Sequence, residues 1–179
     1  MNIDLTNGFQ LTEFRASDAE ALVQWLADKE IYDRTLRIPF PYTPADAERW
    51  LGEIAATTRE NGQPRQFALR SDAGRLVGAL GLEGPQVGQS HRAELGYWLA
   101  KPYWGRGLMT FAARAMCRHG FVAMNLLKIT AHVFAWNDAS ARVLVKCGFE
   151  QEGFLRSHHV KDGQPIDAKL FGLLADSRQ

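Results

Sequence analysis

The chain has 179 residues, 46% of them hydrophobic, which is the size and apolar content of one ordinary domain. Its 21 lysine and arginine residues against 20 aspartate and glutamate residues leave a formal charge of +1, which argues against direct binding of a nucleic acid backbone. The start lacks a charged leader, and no run of about 18 apolar residues follows, so we expect a soluble protein without a membrane span.

The first half predicts a strand near Phe9 to Arg15 and then a helix capped by Ser17 and Asp18. The segment IYDRTLRIPFPYTP is predicted to be irregular until Thr43 caps a second helix. Three strands follow, joined by short turns such as Gly84–Pro85: RQFALRS, GRLVGALGLEG and RAELGYWLA. Short connections predict antiparallel neighbours.

The second half predicts a helix from Gly107 to about Gly120 and then the alternating strand LKITAHVF. Asn137 is expected to cap a short helix that Gly148 stops. Two last strands flank the turn Asp162–Gly163. The order of elements is mixed α/β.

Two glycines in KPYWGRGLMTFAARAM, Gly105 and Gly107, stand between a strand and a helix, where free helix amides bind anions. A dinucleotide site would want a third glycine where Thr110 stands, and antiparallel strands precede the turn. A nucleoside-triphosphate loop is excluded because its Gly-Lys-Ser/Thr element is missing. A tight turn that binds nothing remains an alternative.

Three blocks, AELGYWL, YWGRGLMTFAARAM and NDASARVLVKCGFEQEG, together resemble the GNAT superfamily of acyl-CoA N-acyltransferases, in its RimJ/RimL-like branch. The family's pyrophosphate pattern is Gln or Arg, two residues, Gly, one residue, then Gly or Ala. Aligned on Gly107, this chain has Trp104 and Met109 at the outer positions, and both depart from the pattern.

The resemblance implies an α/β (α+β) fold in a single GNAT-like domain over residues 1–179. Its central sheet would be mixed, mostly antiparallel, with about six to seven strands and about four flanking helices. The cofactor core would span about 94–153, and the acceptor side would span about 17–60.

The resemblance also implies acetyl-CoA as the acetyl donor and no metal. Its pyrophosphate would lie on the amides of the glycine turn, and its pantetheine arm would run along the main chain of the preceding strand. The expected cofactor-binding residues are Trp98, Leu99, Ala100, Trp104, Gly105, Arg106, Gly107, Leu108, Met109, Thr110, Asn137, Arg142 and Lys146.

Glu94 and Ser140 are the expected catalytic residues. Acetyl transfer needs a neutral amine, and by resemblance Glu94 would act as the base, directly or through water. Ser140 would donate to the departing thiolate. The alternatives are a salt-bridge role for Glu94 and helix capping for Asn137 and Ser140.

The acceptor is expected to meet the early irregular segment, with Tyr32, Asp33 and Phe40 as substrate-binding residues. Acidic side chains at Asp28 and Glu30 join them in a rim suited to an amine. The resemblance favours the N-terminal α-amine of a protein, possibly ribosomal. A polyamine-like or aminoglycoside-like amine, or a non-catalytic acyl-CoA-binding module, are the alternatives.

Two histidines and two cysteines have side chains that could bind a metal or react. His158 and His159 are adjacent on a predicted strand and should point to opposite faces, which argues against a paired metal site. Cys117 and Cys147 are too few for a disulfide framework, and they fit packing roles in a reducing cytoplasm. A homodimer is expected at the level of the family.

Overall fold

A computed structural model describes residues 2–5, 8–84 and 91–175. In these ranges the backbone forms eight strands: β1 (Asn2–Asp4), β2 (Gln10–Thr12), β3 (Gln66–Arg70), β4 (Leu76–Glu83), β5 (Arg92–Leu99), β6 (Lys128–Phe134), β7 (Glu150–Lys161) and β8 (Gln164–Leu174). Over the same described ranges it forms five α-helices: α1 (Ala19–Leu26), α2 (Lys29–Asp33), α3 (Pro44–Asn61), α4 (Leu108–Ala123) and α5 (Asp138–Lys146).

The strands form one mixed sheet in the order β1-β2-β3-β4-β5-β6-β8-β7. The pairs from β1 to β4 are antiparallel, as are β6 with β8 and β7 with β8. β5 and β6 pair in parallel, since helix α4 carries the chain between them. The predicted mixed, mostly antiparallel sheet is confirmed, with a slightly higher strand count than expected.

Three elements differ from the sequence-based expectation. Strand β1 and helix α2 were not predicted, and α2 occupies the start of the segment expected to be irregular, with the Asp28 carboxylate accepting from the Glu30 amide. Helix α4 continues through Gly120 to Ala123. A Cβ at position 120 would lie 2.7 Å from Leu82 Cδ1, so this glycine permits close packing and does not end the helix. Pro85 of the predicted turn Gly84–Pro85 lies outside the described residues.

The cap that the sequence predicts at Thr43 is formed at the start of α3. Thr43 accepts from the Asp46 amide at 3.3 Å, while the Asp46 carboxylate accepts from the Thr43 amide at 2.9 Å, which is a capping box. Asp162 and Gly163 both have positive φ in the hairpin turn between β7 and β8, as predicted. Among the described helices, none is long and apolar enough to cross a membrane.

The chain divides into two compact units. The first contains Met1–Gly81 and Tyr97–Ala112, and the second contains Leu82–Gly96 and Ala113–Gln179. The expectation of one domain over residues 1–179 stays a prediction.

The core of the first unit joins α1, α2 and α3 to strands β3, β4 and β5. Trp25 fixes α1 to β4, because its indole Nε1 donates to the Leu76 carbonyl at 2.8 Å. Phe14 packs edge-on against Trp50 of α3, with ring centroids 5.0 Å apart. The buried core residues are Leu22, Leu26, Ile31, Tyr42, Ala47, Ala68, Leu76, Ala79, Trp98 and Ala100.

A buried ion pair crosses the first unit. The Arg70 guanidinium donates to both carboxylate oxygens of Asp18, at 2.7 and 2.8 Å, and to the Thr12 hydroxyl at 2.6 Å. Both charged side chains are about 95% buried, with 4% and 5% exposed. Asp18 therefore serves the ion pair and accepts from the Arg15 amide, whereas the predicted cap of α1 by its side chain is not formed.

The second unit packs α4 and α5 with strands β6, β7 and β8. Small side chains let the helices approach the sheet, and Gly120 is the tightest of these contacts. The buried residues of this layer include Ala113, Met116, Cys117, Ile129, Ala131, Val133, Leu144, Phe149, Ala168 and Phe171.

Replacement of Arg70 by Met should lower the free energy of unfolding by about 3–5 kcal/mol, because the Asp18 carboxylate would stay buried without its partner. Urea denaturation measures this loss. Lys29→Met is the matched control: it breaks the exposed Lys29–Asp33 pair and should cost about 0.2–1 kcal/mol. Equal losses in the two variants would contradict the assigned role of the buried pair.

Candidate active site

The turn before α4 is built by its two glycines. Gly105 and Gly107 both have φ of +73°, a left-handed conformation that costs other residues about 1–2 kcal/mol. A Cβ at Gly105 would meet nothing within 4 Å, and one at Gly107 would make an ordinary contact with Phe111. Both glycines are therefore required by backbone conformation and not by crowding within the protein.

The first turn of a helix has no internal acceptors for most of its amide N–H groups. The amides at the start of α4 could therefore bind an anion. The Thr110 amide is an exception, because it donates to the Gly107 carbonyl at 3.0 Å. The side chains of Leu108, Met109 and Thr110 are buried, so these residues offer the turn only their main chain.

Trp104 attaches the turn to the end of β5. Its indole Nε1 donates to the Leu99 carbonyl at 2.6 Å. The Arg34 guanidinium lies over its ring, 5.4 Å from the centroid, which adds a cation–π contact. The two departures from the family pattern thus have structural explanations: Trp104 pins the turn, and Met109 is a core residue, 6% exposed.

The main chain expected to pair with pantetheine is partly engaged within the first unit. The Ala100 amide donates to the Val77 carbonyl at 2.8 Å, and the Leu99 carbonyl accepts from Trp104. A carbonyl oxygen can accept a second hydrogen bond, so Leu99 keeps capacity for a ligand amide. The side chains of Trp98, Leu99 and Ala100 are all buried.

Tyr32 and Phe40 form an aromatic pair on the expected acceptor side, with ring centroids 5.3 Å apart. Phe40 is 45% exposed. Asp33 forms an ion pair with Lys29 at 2.6 Å, and Glu30 forms ion pairs with Lys101 and Arg34. Cationic side chains of the same unit therefore neutralise much of the acidic rim predicted from the sequence.

In the second unit, Asn137 is the N-cap of α5, as predicted. Its side-chain oxygen accepts from the Ser140 amide at 3.3 Å, and the Asn137 side chain is buried. Ser140 contributes its amide to this cap, and its side chain is partly exposed. The geometry orders the two residues at one helix end, which is compatible with both capping and a catalytic role.

Glu94 lies near the start of β5, opposite Thr130 in the parallel pairing with β6. Its carboxylate Oε1 lies 3.0 Å from Nδ1 of His132, two residues further along β6. Glu94 thus contacts a histidine, to which the sequence pattern assigned no role. The His132 side chain is 21% exposed and that of Glu94 is 40% exposed.

His158 and His159 both contact His132, which corrects the expectation that they lie on opposite faces. The His158 ring stacks on His132 at 4.9 Å, and the His159 ring meets it edge-on at 5.9 Å. The cause is a bulge in β7, where the pairing shifts between Leu155 and His159 and Ser157 takes φ of +48°. Within the described residues, no group of three or more histidine, cysteine or acidic side chains is suited to hold a metal ion.

The remaining candidate residues of this unit are two exposed cations and two cysteine thiols. Arg142 and Lys146 lie exposed on α5. Burial raises the pKa of the Cys117 thiol to about 12, so it stays protonated and packs as an apolar group. Burial also raises the pKa of the Cys147 thiol.

Comparison with known proteins decides the family. Residues 9–150 match the model of the acetyltransferase (GNAT) domain. The chain belongs to the GNAT acetyltransferase family. Members of this family take the acetyl group from acetyl-CoA, and the predicted family, enzyme class and cofactor are confirmed.

Similar proteins place this GNAT chain near the RimJ/RimL branch. It is 29% identical over 171 residues, 94% of each chain, to the uncharacterized N-acetyltransferase p20 of Bacillus licheniformis. It is 29% identical over 102 residues to the [ribosomal protein uS5]-alanine N-acetyltransferase of Escherichia coli, covering 57% of this chain and 53% of that protein. The structure of Mycobacterium smegmatis RimJ in complex with CoA-disulfide superposes with a TM-score of 0.85 at 26% identity, covering 100% of this chain and 88% of that one.

The residues of the turn fit the pyrophosphate of the GNAT cofactor. The described first turn of α4 contains no acidic residue that would repel phosphate. Arg106 adds an exposed cation beside the turn, with its guanidinium 5.8 Å from the centre of the Tyr103 ring. The turn conformation, the helix start and the local charge therefore all favour an anion.

Gly107→Ala should lower the free energy of unfolding of this GNAT protein by about 1–2 kcal/mol, because alanine must adopt the left-handed conformation. Gly52→Ala is the matched control. Gly52 lies within α3 with open space at its Cβ, so alanine there should stabilise by about 0.5–1 kcal/mol. Denaturant unfolding of both variants measures the difference, and a neutral or stabilising Gly107→Ala would contradict the conformational argument.

Proposed function

We propose that the protein transfers an acetyl group from acetyl-CoA to the α-amine at the N terminus of a protein, with ribosomal proteins as the first candidates. The observation that carries the donor half of this proposal is the left-handed turn of Gly105 and Gly107 at the start of α4. The acceptor half draws support from the similar E. coli enzyme, which is named for alanine of ribosomal protein uS5.

Several main-chain amides, those of Gly105 to Met109, bind the pyrophosphate in this proposal. Each exposed contact between an anion and a helix dipole contributes about 0.3–1 kcal/mol, so several must act together. Arg106, Arg142 and Lys146 supply cations for the phosphates, and all three are exposed. Trp98, Leu99 and Ala100 receive the pantetheine arm through their main chain, with the Ala100 amide excluded because it is already bonded.

The free-energy cost of deprotonating the acceptor supports an α-amine. Removing the proton at pH 7 costs about 4.6 kcal/mol for a lysine-like amine but about 1 kcal/mol for an α-amine. An α-amine therefore places a modest demand on the protein, which Glu94 and its histidine partner serve. In the product-forming step the amine nitrogen bonds to the acetyl carbon while the carbon–sulfur bond breaks, and Ser140 donates to the departing thiolate.

The charges on the acceptor side favour a monoamine over a polyamine or aminoglycoside. Asp33 and Glu30 are each engaged by a cation of the same unit, so little unpaired negative charge is left to attract several ammonium groups. Tyr32 and Phe40 provide an aromatic surface for one ammonium and the first side chain of a peptide.

We further propose that the protein works in the cytoplasm and forms homodimers. A chain with two cysteines has too few for a disulfide framework, which is in keeping with a reducing compartment. Dimer formation rests on the family resemblance, and light scattering of the purified chain tests it.

The proposal is tested with acetyl-CoA and a panel of acceptors: N-terminal peptides of ribosomal proteins with lysines blocked, a polyamine and an aminoglycoside. Thiol release and the mass of the product report transfer. We expect acetylation of the peptide α-amine. Release with the small amines alone would favour the alternative substrates, and binding of acetyl-CoA without any release would favour a non-catalytic module.

Ser140→Ala should lower kcat by about 10- to 100-fold with little change in the affinity for acetyl-CoA, because a hydrogen-bond donor to the departing thiolate is lost while the cap amide remains. Steady-state kinetics and calorimetry measure the two quantities. Asn137→Ala is the structural comparison, and it should lower the free energy of unfolding by about 0.5–2 kcal/mol through loss of the cap. Destabilisation of Ser140→Ala to the same extent, with a parallel loss of rate, would assign Ser140 to capping alone.

A further inference from the structure

We propose that His132 is a catalytic residue of the acetyl transfer: its Nε2 accepts the proton of the acceptor amine, while Glu94 holds the ring through Nδ1. This inference rests on the proposed N-acetyltransferase function and changes the role of Glu94 within it. Glu94 becomes the positioning residue, and the histidine becomes the base.

The contact between the two side chains defines the tautomer of the imidazole. Glu94 Oε1 and His132 Nδ1 lie 3.0 Å apart. An ionised carboxylate can only accept hydrogen bonds, so Nδ1 carries the hydrogen, and in the neutral ring the lone pair lies on Nε2. The same arrangement orients the base in other carboxylate–histidine pairs and stabilises the imidazolium that forms when the base takes a proton.

The backbone of two paired strands fixes the positions of Glu94 and His132 relative to each other. Glu94 and Thr130 are partners in the parallel ladder of β5 and β6, and His132 follows Thr130 by two positions, so it lies on the same face of the sheet. Ala131, His132 and Val133 are further held by antiparallel pairing with β8. Because both side chains start from paired strands, their separation does not depend on a loop.

The bulge of β7 completes the surroundings of His132. It brings the rings of His158 and His159 against the imidazole, at 4.9 and 5.9 Å between centroids. Among the other charged groups of these strands, Lys128 of β6 and Glu152 of β7 pair with each other at 2.7 Å. Lys169 of β8 pairs with Asp138 at 2.9 Å, and the Asp167 carboxylate of β8 accepts from the Ser157 amide at 2.7 Å. The remaining charged residues are Arg92 on β5 and Glu150, Arg156 and Lys161 on β7. Opposite His132 on β8 stands Leu170, which does not titrate. Glu94 therefore supplies the carboxylate at His132, and protonation of a neighbouring histidine would oppose the charge that His132 acquires.

An imidazole suits the proton transfer better than a carboxylate does. Free imidazole is more basic than a free glutamate side chain by about 2 pKa units, or about 100-fold. In the proposed step, an N–H proton of the ammonium passes to Nε2, and the freed lone pair bonds to the acetyl carbon. The carbon–sulfur bond then breaks, the thiolate takes the second proton, and His132 releases the first proton to solvent.

The test measures kcat/KM between about pH 5 and 9 for the wild-type chain, His132→Gln, Glu94→Gln and His91→Gln. The acceptor is the best peptide from the acceptor panel. His91 is an exposed histidine outside the cluster, so His91→Gln makes the same chemical change without touching the pair. Melting temperature and acetyl-CoA affinity are measured for each variant.

The wild-type chain should lose rate toward acid pH, because a protonated imidazole cannot accept the proton of the amine. His132→Gln should lose that acidic limb and at least about 100-fold in kcat/KM at neutral pH, with acetyl-CoA affinity unchanged. Glu94→Gln should keep a limb, moved to lower pH because the imidazolium loses its anionic partner. His91→Gln should match the wild type.

The opposite pattern would overturn the inference. If Glu94→Gln abolishes the limb while His132→Gln keeps it with a small loss of rate, then the carboxylate is the base. A His132→Gln variant with wild-type rate would also exclude the histidine.

A second acceptor separates base catalysis from packing. A peptide whose N-terminal residue is fluorinated has an α-amine of lower pKa and needs less help in losing its proton. The loss of rate in His132→Gln should shrink at least about 10-fold with this peptide, whereas an equal loss with both peptides would indicate a structural defect. If His132→Gln does not fold, the pH profiles of the wild type and of Glu94→Gln still test the inference. An acidic limb that moves to lower pH in Glu94→Gln supports the histidine as the base, and an acidic limb that disappears in Glu94→Gln excludes it. Failure of the proposed function is distinct, since the wild-type chain would then acetylate no amine.

Discussion

The hydrogen bond from the Trp104 indole to the Leu99 carbonyl, 2.6 Å long, is the constraint on which the glycine turn before α4 depends. It joins the last residue of β5 to the residue before the left-handed Gly105, so the start of α4 is fixed with respect to the strand that precedes it. The family pattern has a polar residue at this position, and here an indole provides the anchor. With the turn held by Trp104, the glycines need to supply only backbone conformation, and the start of a helix is a position that favours an anion.

The second unit depends on a different constraint, the parallel ladder between β5 and β6. That ladder sets Glu94 beside His132, and the β7 bulge adds two further imidazoles. Nothing in this cluster resembles a metal site among the described residues. A carboxylate within hydrogen-bond distance of a histidine nitrogen is an arrangement that can move a proton, as the proposed acetylation of an amine requires.

In the segment proposed to meet the acceptor, contacts within the protein engage the acidic side chains. Asp28, Asp33 and Glu30 form an acidic group in the sequence, but in the fold Asp28 caps α2 while Asp33 and Glu30 pair with lysines. The aromatic pair of Tyr32 and Phe40 is then the more distinctive feature. This surface is the basis for proposing a single amine on a larger molecule as the acceptor.

The sequence by itself determined the family, the glycine turn before α4, the capping residues Thr43 and Asn137 and most of the strands. These features depend on neighbours within a few residues, so their signal is contained in short segments. The structure alone decided what depends on distant contacts: the close packing at Gly120, the Arg70–Asp18 pair, and the meeting of Glu94 with His132. The alternation of LKITAHVF did show which residues share a face with His132, but not which strand lies beside them. Strand alternation also misplaced His158 and His159, because a bulge changes the direction of side chains and is set by pairing with another strand.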